Sequence, residues 1–249
     1  MVSQSISRGL FTGLPGAARL RLAGSGASLA RWAVVSTALA PLAMLSAWLV
    51  AETLQPPSYS PLGSSISGLA ALGATDRWIV TSALLVVGAC YFVTAACLPG
   101  LRWSARMVLL ITGLSGIGIA ACPQPVHGTN PQHLVWTALG AVALAVWPAF
   151  TARRAPSQPL LLRPRAAAAV TVVSVALLIW LVAETQGGSA LGLAERLVTG
   201  LQMTWPFIVI LALRSGRVRQ ERSNSVFRTD RCALESGRSD VISVANRVI

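Results

Sequence analysis

Lysine is absent from this chain, and all 20 of its basic residues are arginine. Acids number only 8, histidines 2, cysteines 4 and tyrosines 2, and charged residues make up 11% of the 249 positions. Each shortage excludes something. A soluble domain carries about a quarter charged residues, and so few charges cannot cover the surface of a chain this long. An ordinary soluble enzyme is therefore excluded. The cysteines Cys90, Cys97, Cys122 and Cys232 show no CxxC spacing, so neither a disulfide framework nor a zinc ribbon is expected, and they read as small packing residues. The formal charge of +12 looks like that of a nucleic-acid binder. The terminal segments that hold many of the arginines have almost no aromatics to interleave with them, so no nucleic-acid partner is expected.

What is present is apolar length. Hydrophobic residues make up 54% of the chain, and six runs lack any Asp, Glu, Lys or Arg. They are Trp32–Ala51, Trp78–Leu98, Met107–Cys122, Leu134–Ala152, Ala166–Ala183 and Leu197–Leu213. A bilayer core of roughly 30 Å needs about 20 apolar residues in a helix. The runs lack the alternation of barrel strands, and only helices or closed barrels satisfy their backbone in lipid. The expected fold class is all-α, a polytopic membrane bundle of six transmembrane helices. The first run is longer than a signal-peptide core, and the Ala-Glu-Thr after it is a poor cleavage site, so it reads as an uncleaved span.

Arginine placement orients the bundle, because basic residues accumulate in short cytoplasmic loops. With the amino terminus inside, 18 of the 20 arginines fall on the inner side and only Arg77 and Arg196 on the outer. Glu52, Asp76, Glu184 and Glu195 all fall outside. Both termini are therefore expected in the cytoplasm, and the +12 becomes a topology signal. Residues 1–30 read as a basic cytoplasmic tail, 31–214 as the membrane domain, and 215–249 as an Arg-rich disordered cytoplasmic tail. The expected location is a bacterial plasma membrane, with membrane lipids as partners and the oligomeric state open. Small residues four apart, Thr112, Gly116 and Ala120, together with Gly140, Ala141 and Ala145, predict close helix packing within the bundle. The tryptophans read as interfacial anchors.

Three outer loops hold the unusual residues. The first runs from Glu52 to Asp76 and contains Tyr59, Ser60, Ser64, Ser65 and Ser67, serines suited to capping a short interfacial helix. The second holds both histidines, His127 and His133, and the third runs from Glu184 to Glu195 and Arg196. Glu52, Tyr59, Ser60, Asp76, Glu184, Glu195 and Arg196 are the expected lining of an outer vestibule. Two imidazoles with Glu52 or Glu184 supply ligands for a catalytic zinc, and a histidine beside Ser65 or Ser67 supplies a nucleophile and its base. Neither spacing is diagnostic, since His-x5-His is not the helical i, i+4 pair of a zincin. The plainer reading gives His133 the cap of the fourth helix and His127 a hydrogen bond that orders the loop. Beyond possible zinc, no cofactor is expected.

One hexapeptide occurs twice, as Trp48-Leu-Val-Ala-Glu-Thr53 and Trp180-Leu-Val-Ala-Glu-Thr185. Both copies end an outward-running helix, which places Glu52 and Glu184 at equal depth. Arg77, Arg196 and the two histidines are their candidate partners. Duplication and similar interface demands both explain the match.

The loops also carry a resemblance. Tyr59-Ser-Pro-Leu-Gly-Ser-Ser-Ile-Ser-Gly-Leu, then Pro123-Gln-Pro-Val-His-Gly with His133 beyond it, then Gly192-Leu-Ala-Glu-Arg196 before Trp205, resemble the prokaryotic six-helix membrane family catalogued as domain of unknown function 998. Gly68 stands where that family's first-loop motif carries an acid. The resemblance covers roughly residues 30–214 and implies a six-helix bundle without an established activity. A comparison with ceramidase-like membrane hydrolases fails on number, because their zinc site needs three histidines. Two functions are carried forward. The first is binding or moving a lipid or small amphiphile through the outer vestibule. The second is hydrolysis of an outer-leaflet lipid by histidine and carboxylate residues.

Overall fold

The computed structural model describes residues 16–98, 101–153 and 159–215, with side chains from Arg31 onward, and every regular element among them is helical. The expectations for residues 1–15 and for the tail from 216 lie outside the described residues. The elements are α1 (Gly16–Thr53), α2 (Ile66–Leu69), α3 (Trp78–Cys97), α4 (Trp103–Ala121), α5 (Pro131–Thr151), α6 (Pro164–Glu184) and α7 (Leu191–Ser215), with a 3-10 turn at Leu160–Leu162 before α6. Residues Arg31–Thr53 of α1 and the whole of α3 to α7 are long and apolar enough to cross a membrane, which makes six spans. The chain is a multi-pass membrane protein.

Every spanning helix but α3 begins before its apolar run does, and in three of them a polar residue near the start has a partner in the structure. α4 starts at Trp103 and so contains Arg106, whose guanidinium donates to the Ala95 carbonyl at 2.6 Å and the Ala96 carbonyl at 3.5 Å. These are C-terminal carbonyls of α3 that would otherwise lack partners. α5 starts at Pro131 behind Asn130, whose side chain accepts from the amides of Gln132 and His133. The helix cap is therefore Asn130 and not His133. α7 starts at Leu191 and brings Glu195 and Arg196 into its second turn. In each case a polar or charged residue bounds the apolar run, but a hydrogen-bond partner lets the helix continue.

Helices adjacent in sequence pack against each other. Gly88 of α3 and Gly113 of α4 face one another so closely that a Cβ on either would lie 2.8 Å from the other's carbonyl oxygen. A Cβ at Gly116 would lie 3.1 Å from the Leu84 carbonyl. The small residues thus serve packing within the bundle, as expected from their spacing. Between α1 and α3, Ser36 and Thr94 share a buried hydrogen bond of 2.8 Å. By contrast α6 is peripheral, with Val172, Ile179 and Val182 exposed as apolar surface. Lipid is the solvent that fits such a face.

The tryptophans divide, which corrects their uniform assignment to anchoring. Trp32, Trp78 and Trp103 are exposed near span ends, and Arg77 lies 3.9 Å over the Trp78 ring. Trp48, Trp147 and Trp205 are buried in the bundle. Trp147 is 0% exposed, and its indole donates to the Ala105 carbonyl at 3.0 Å. Small neighbours leave large volumes between helices, and the indoles fill them.

Candidate functional site

The three loops lie at one end of the bundle and are joined into a single cap. Leu72 donates its amide to the Gln124 carbonyl at 2.9 Å, and Leu193 donates to the Leu62 carbonyl at 3.0 Å. The first loop closes on itself through Gln55, which donates to the Thr75 carbonyl and accepts from the Thr75 amide.

Arg196 is the centre of the cap. Its Nε donates to Glu52 Oε1 at 2.9 Å, and its terminal nitrogens reach the same oxygen, the Tyr59 hydroxyl at 2.8 Å, the Ser64 carbonyl at 3.0 Å and the Gly192 carbonyl at 2.8 Å. One side chain of α7 thus holds the end of α1 and two points of the first loop. Gly192 permits this arrangement, because a Cβ there would collide with the carbonyls of Pro61 and Ser64. Burial pushes the Tyr59 phenol above its ordinary pKa, although the adjacent Arg196 acts in the opposite direction.

Glu195, next in sequence, holds α2. Its carboxylate accepts from the Ile66 amide at 2.7 Å, the Ser67 amide at 3.3 Å and the Ser67 hydroxyl at 3.0 Å. Ser65 caps the same turn by accepting from the Gly68 amide at 3.0 Å. Of the serines expected as caps, Ser65 takes that role, while Ser67 lies within α2. Ser65 and Ser67 are both engaged with the short helix, and neither contacts a histidine.

The remaining candidates are dispersed. Glu184 folds back on its own segment, accepting from the Trp180 indole at 3.0 Å and the Ala190 amide at 2.8 Å. Ser60 and Asp76 are exposed, and Asp76 has a φ of 48°, a conformation that Asp tolerates better than most residues. His127 is exposed in the second loop. His133 is 1% exposed, and its Nδ1 lies 2.8 Å from the Cys122 carbonyl, which must accept, so Nδ1 carries the proton. Its role is to tie the start of the second loop to α5. Among the described residues, no three His, Cys, Asp or Glu side chains gather as a metal-ligand group.

Beneath the cap lies a cavity of about 120 Å³. All six spans contribute to its wall, from Met44 of α1 to Leu181 of α6, and Ile66 and Ser67 of α2 lie at the cap side with Glu195. The lining is mainly apolar. Three polar side chains that border it, Tyr91, Thr137 and Gln202, each bury an oxygen or nitrogen that has no hydrogen-bond partner. Tyr91 is 1% exposed and Gln202 is 4% exposed. An unpaired buried polar group costs about 1–3 kcal/mol, so three around one space are an exception that calls for a cause. None of the three belongs to a recognisable motif. The available signal was Gln202, the lone side-chain amide in the six apolar runs. Four residues after it, Pro206 has no amide hydrogen, which leaves the Gln202 carbonyl without its i+4 donor. Non-ideal backbone at membrane depth is tolerated where it borders a protein interior or cavity.

No curated protein and no solved structure gave a match to the chain. The model of a family described as a protein of unknown function, DUF998, matches residues 38–212, reaching from the first span into the last, and the chain belongs to that family.

Proposed function

We propose that this protein binds a small amphiphile taken from the membrane, within the cavity under its loop cap, and holds or passes it there. The observation that carries the reading is the cavity itself, apolar in the main but lined in part by Tyr91, Thr137 and Gln202, each of which buries an unpaired polar atom. Binding sites combine an apolar wall with a few convergent polar groups in this way. Of the residues expected to line a vestibule, Glu52 and Tyr59 bond to Arg196 while Glu195 bonds to α2, and together they form the roof of the site. The hydrolytic alternative has less support, because His127 and His133 occupy unrelated surroundings, the Ser65 hydroxyl caps α2 and the Ser67 hydroxyl donates to Glu195.

Ala141 borders the cavity, and the added ring of Ala141→Phe would fill much of it. Mass spectrometry of gently extracted wild-type protein is expected to detect a co-purifying amphiphile that the Ala141→Phe protein lacks. Identical small-molecule content in the two would remove the reading.

The protein is further proposed to lie in a bacterial plasma membrane, with its partners drawn from membrane lipids and not from nucleic acid. Its cap would face outward and both termini the cytoplasm, since the arginines concentrate opposite the cap. In a chain with its four cysteines replaced, Ser189→Cys is expected to react with an impermeant thiol reagent on intact cells, and Leu160→Cys only after lysis. The reverse pattern would invert the orientation.

A further inference from the structure

The polar residues that line the cavity constrain the ligand's head group, an inference that rests on the binding reading above. Several polar groups on its wall are already occupied. The Ser67 hydroxyl donates to Glu195, that of Thr112 to the Val108 carbonyl, and that of Ser115 to the Trp136 carbonyl. The Tyr91 hydroxyl, the Thr137 hydroxyl and the Gln202 amide nitrogen remain unpaired. The amide nitrogen can only donate, and the two hydroxyls can donate or accept. The complement is a head group with oxygen acceptors.

Charge is the second constraint. Glu195 is the charged residue on the cavity wall, and its carboxylate already accepts three hydrogen bonds from α2. Arg196 directs its guanidinium to Glu52, Tyr59, Ser64 and Gly192. An anionic head group would lose its hydration and meet no free cation there, which is strongly unfavourable in an apolar setting, and an ammonium, which can only donate, would leave the Gln202 amide nitrogen unpaired. Size is the third. A cavity of about 120 Å³ is somewhat smaller than an engineered one of roughly 150 Å³ that accepts benzene.

We propose that the cavity selects an uncharged, ring-sized head group bearing a hydroxyl or carbonyl oxygen on an apolar body, held by Gln202, Tyr91 and Thr137.

The test is a fluorine-19 NMR titration of the full chain in lipid nanodiscs with four probes of one size: 4-fluorobenzyl alcohol, 4-fluorotoluene, 4-fluorobenzylamine and 4-fluorobenzoate. The Ala141→Phe protein corrects for partition into lipid, and Val87→Phe replaces it if that variant does not fold. One hydrogen bond to a donor in such a site corresponds to about tenfold in affinity. The alcohol is therefore expected to bind about tenfold or more tightly than the toluene, and more tightly than the amine or the benzoate. In Gln202→Leu the gap between alcohol and toluene should fall to about twofold or less. If alcohol and toluene bind the wild type equally and both are lost in Ala141→Phe, the head-group inference fails while the binding reading stands. If the amine or the benzoate binds most tightly, the uncharged assignment fails. If no probe saturates, both readings fail.

Discussion

Replacing Arg196 with methionine is expected to destabilise the bundle by about 3–5 kcal/mol, the range found when one partner of a buried ion pair is removed. The size of the effect follows from what remains behind. The Arg196 and Glu52 side chains are only 15% and 14% exposed, so the Glu52 carboxylate would stay largely desolvated without its cation. The Tyr59 hydroxyl and the Ser64 carbonyl would lose their donor as well. The double variant Glu52→Gln, Arg196→Met removes the stranded charge and should recover about half of the loss, a coupling characteristic of residues in contact. Unfolding in mixed micelles with increasing sodium dodecyl sulfate would measure both variants. A single variant within about 1 kcal/mol of wild type would show that the pair does not hold the cap.

The second large effect is expected at the crossing of α3 and α4. Gly113→Val should destabilise by about 3 kcal/mol, at the upper end of overpacking costs. Its Cβ would lie 2.8 Å from the Gly88 carbonyl oxygen and 3.3 Å from the Phe92 ring. A ring can rotate aside, but a helix backbone can yield only by separating the helices. Gly113→Ala should show the same sign with a smaller loss of about 1–2 kcal/mol. Gly200→Ala is the control, since nothing outside its own turn of helix lies within 4 Å of the added Cβ, and it should stay within about 1 kcal/mol of wild type. Equal behaviour of the Gly113 and Gly200 alanine variants would show that the close crossing contributes nothing to stability.

Much of this architecture was legible from composition alone, because six runs free of charge have no other solution in lipid. The helix starts were not legible. Arg106, Glu195 and Arg196 end apolar runs, yet each lies within a helix because a distant group satisfies it. Chemistry also pointed to Glu52, Tyr59, Glu195 and Arg196, but the sequence could not say that Arg196 meets Glu52 across 144 positions. The repeated hexapeptide illustrates the limit. Its two copies form the same helix end, but Glu52 reaches across to Arg196 while Glu184 turns back to Trp180 and Ala190. Identical local sequence settled the backbone, and the partners came from the tertiary surroundings. The cavity was the least legible feature, since Tyr91, Thr137 and Gln202 stand on three different helices as isolated polar residues in apolar runs.

Those three residues supply the most direct test of a site built for a ligand. Unpaired polar groups in an empty site lower stability, and apolar replacements of similar shape relieve that cost. Proteins retain such groups where function needs them. The measurement is the melting temperature of ligand-stripped protein, comparing wild type with the double variant Tyr91→Phe, Gln202→Leu. A ligand site predicts a variant that melts several degrees higher when empty and gains less from an added amphiphile than wild type does. A variant that melts lower than wild type when empty would mean that these groups already have partners in the folded protein, which contradicts a site waiting for its ligand.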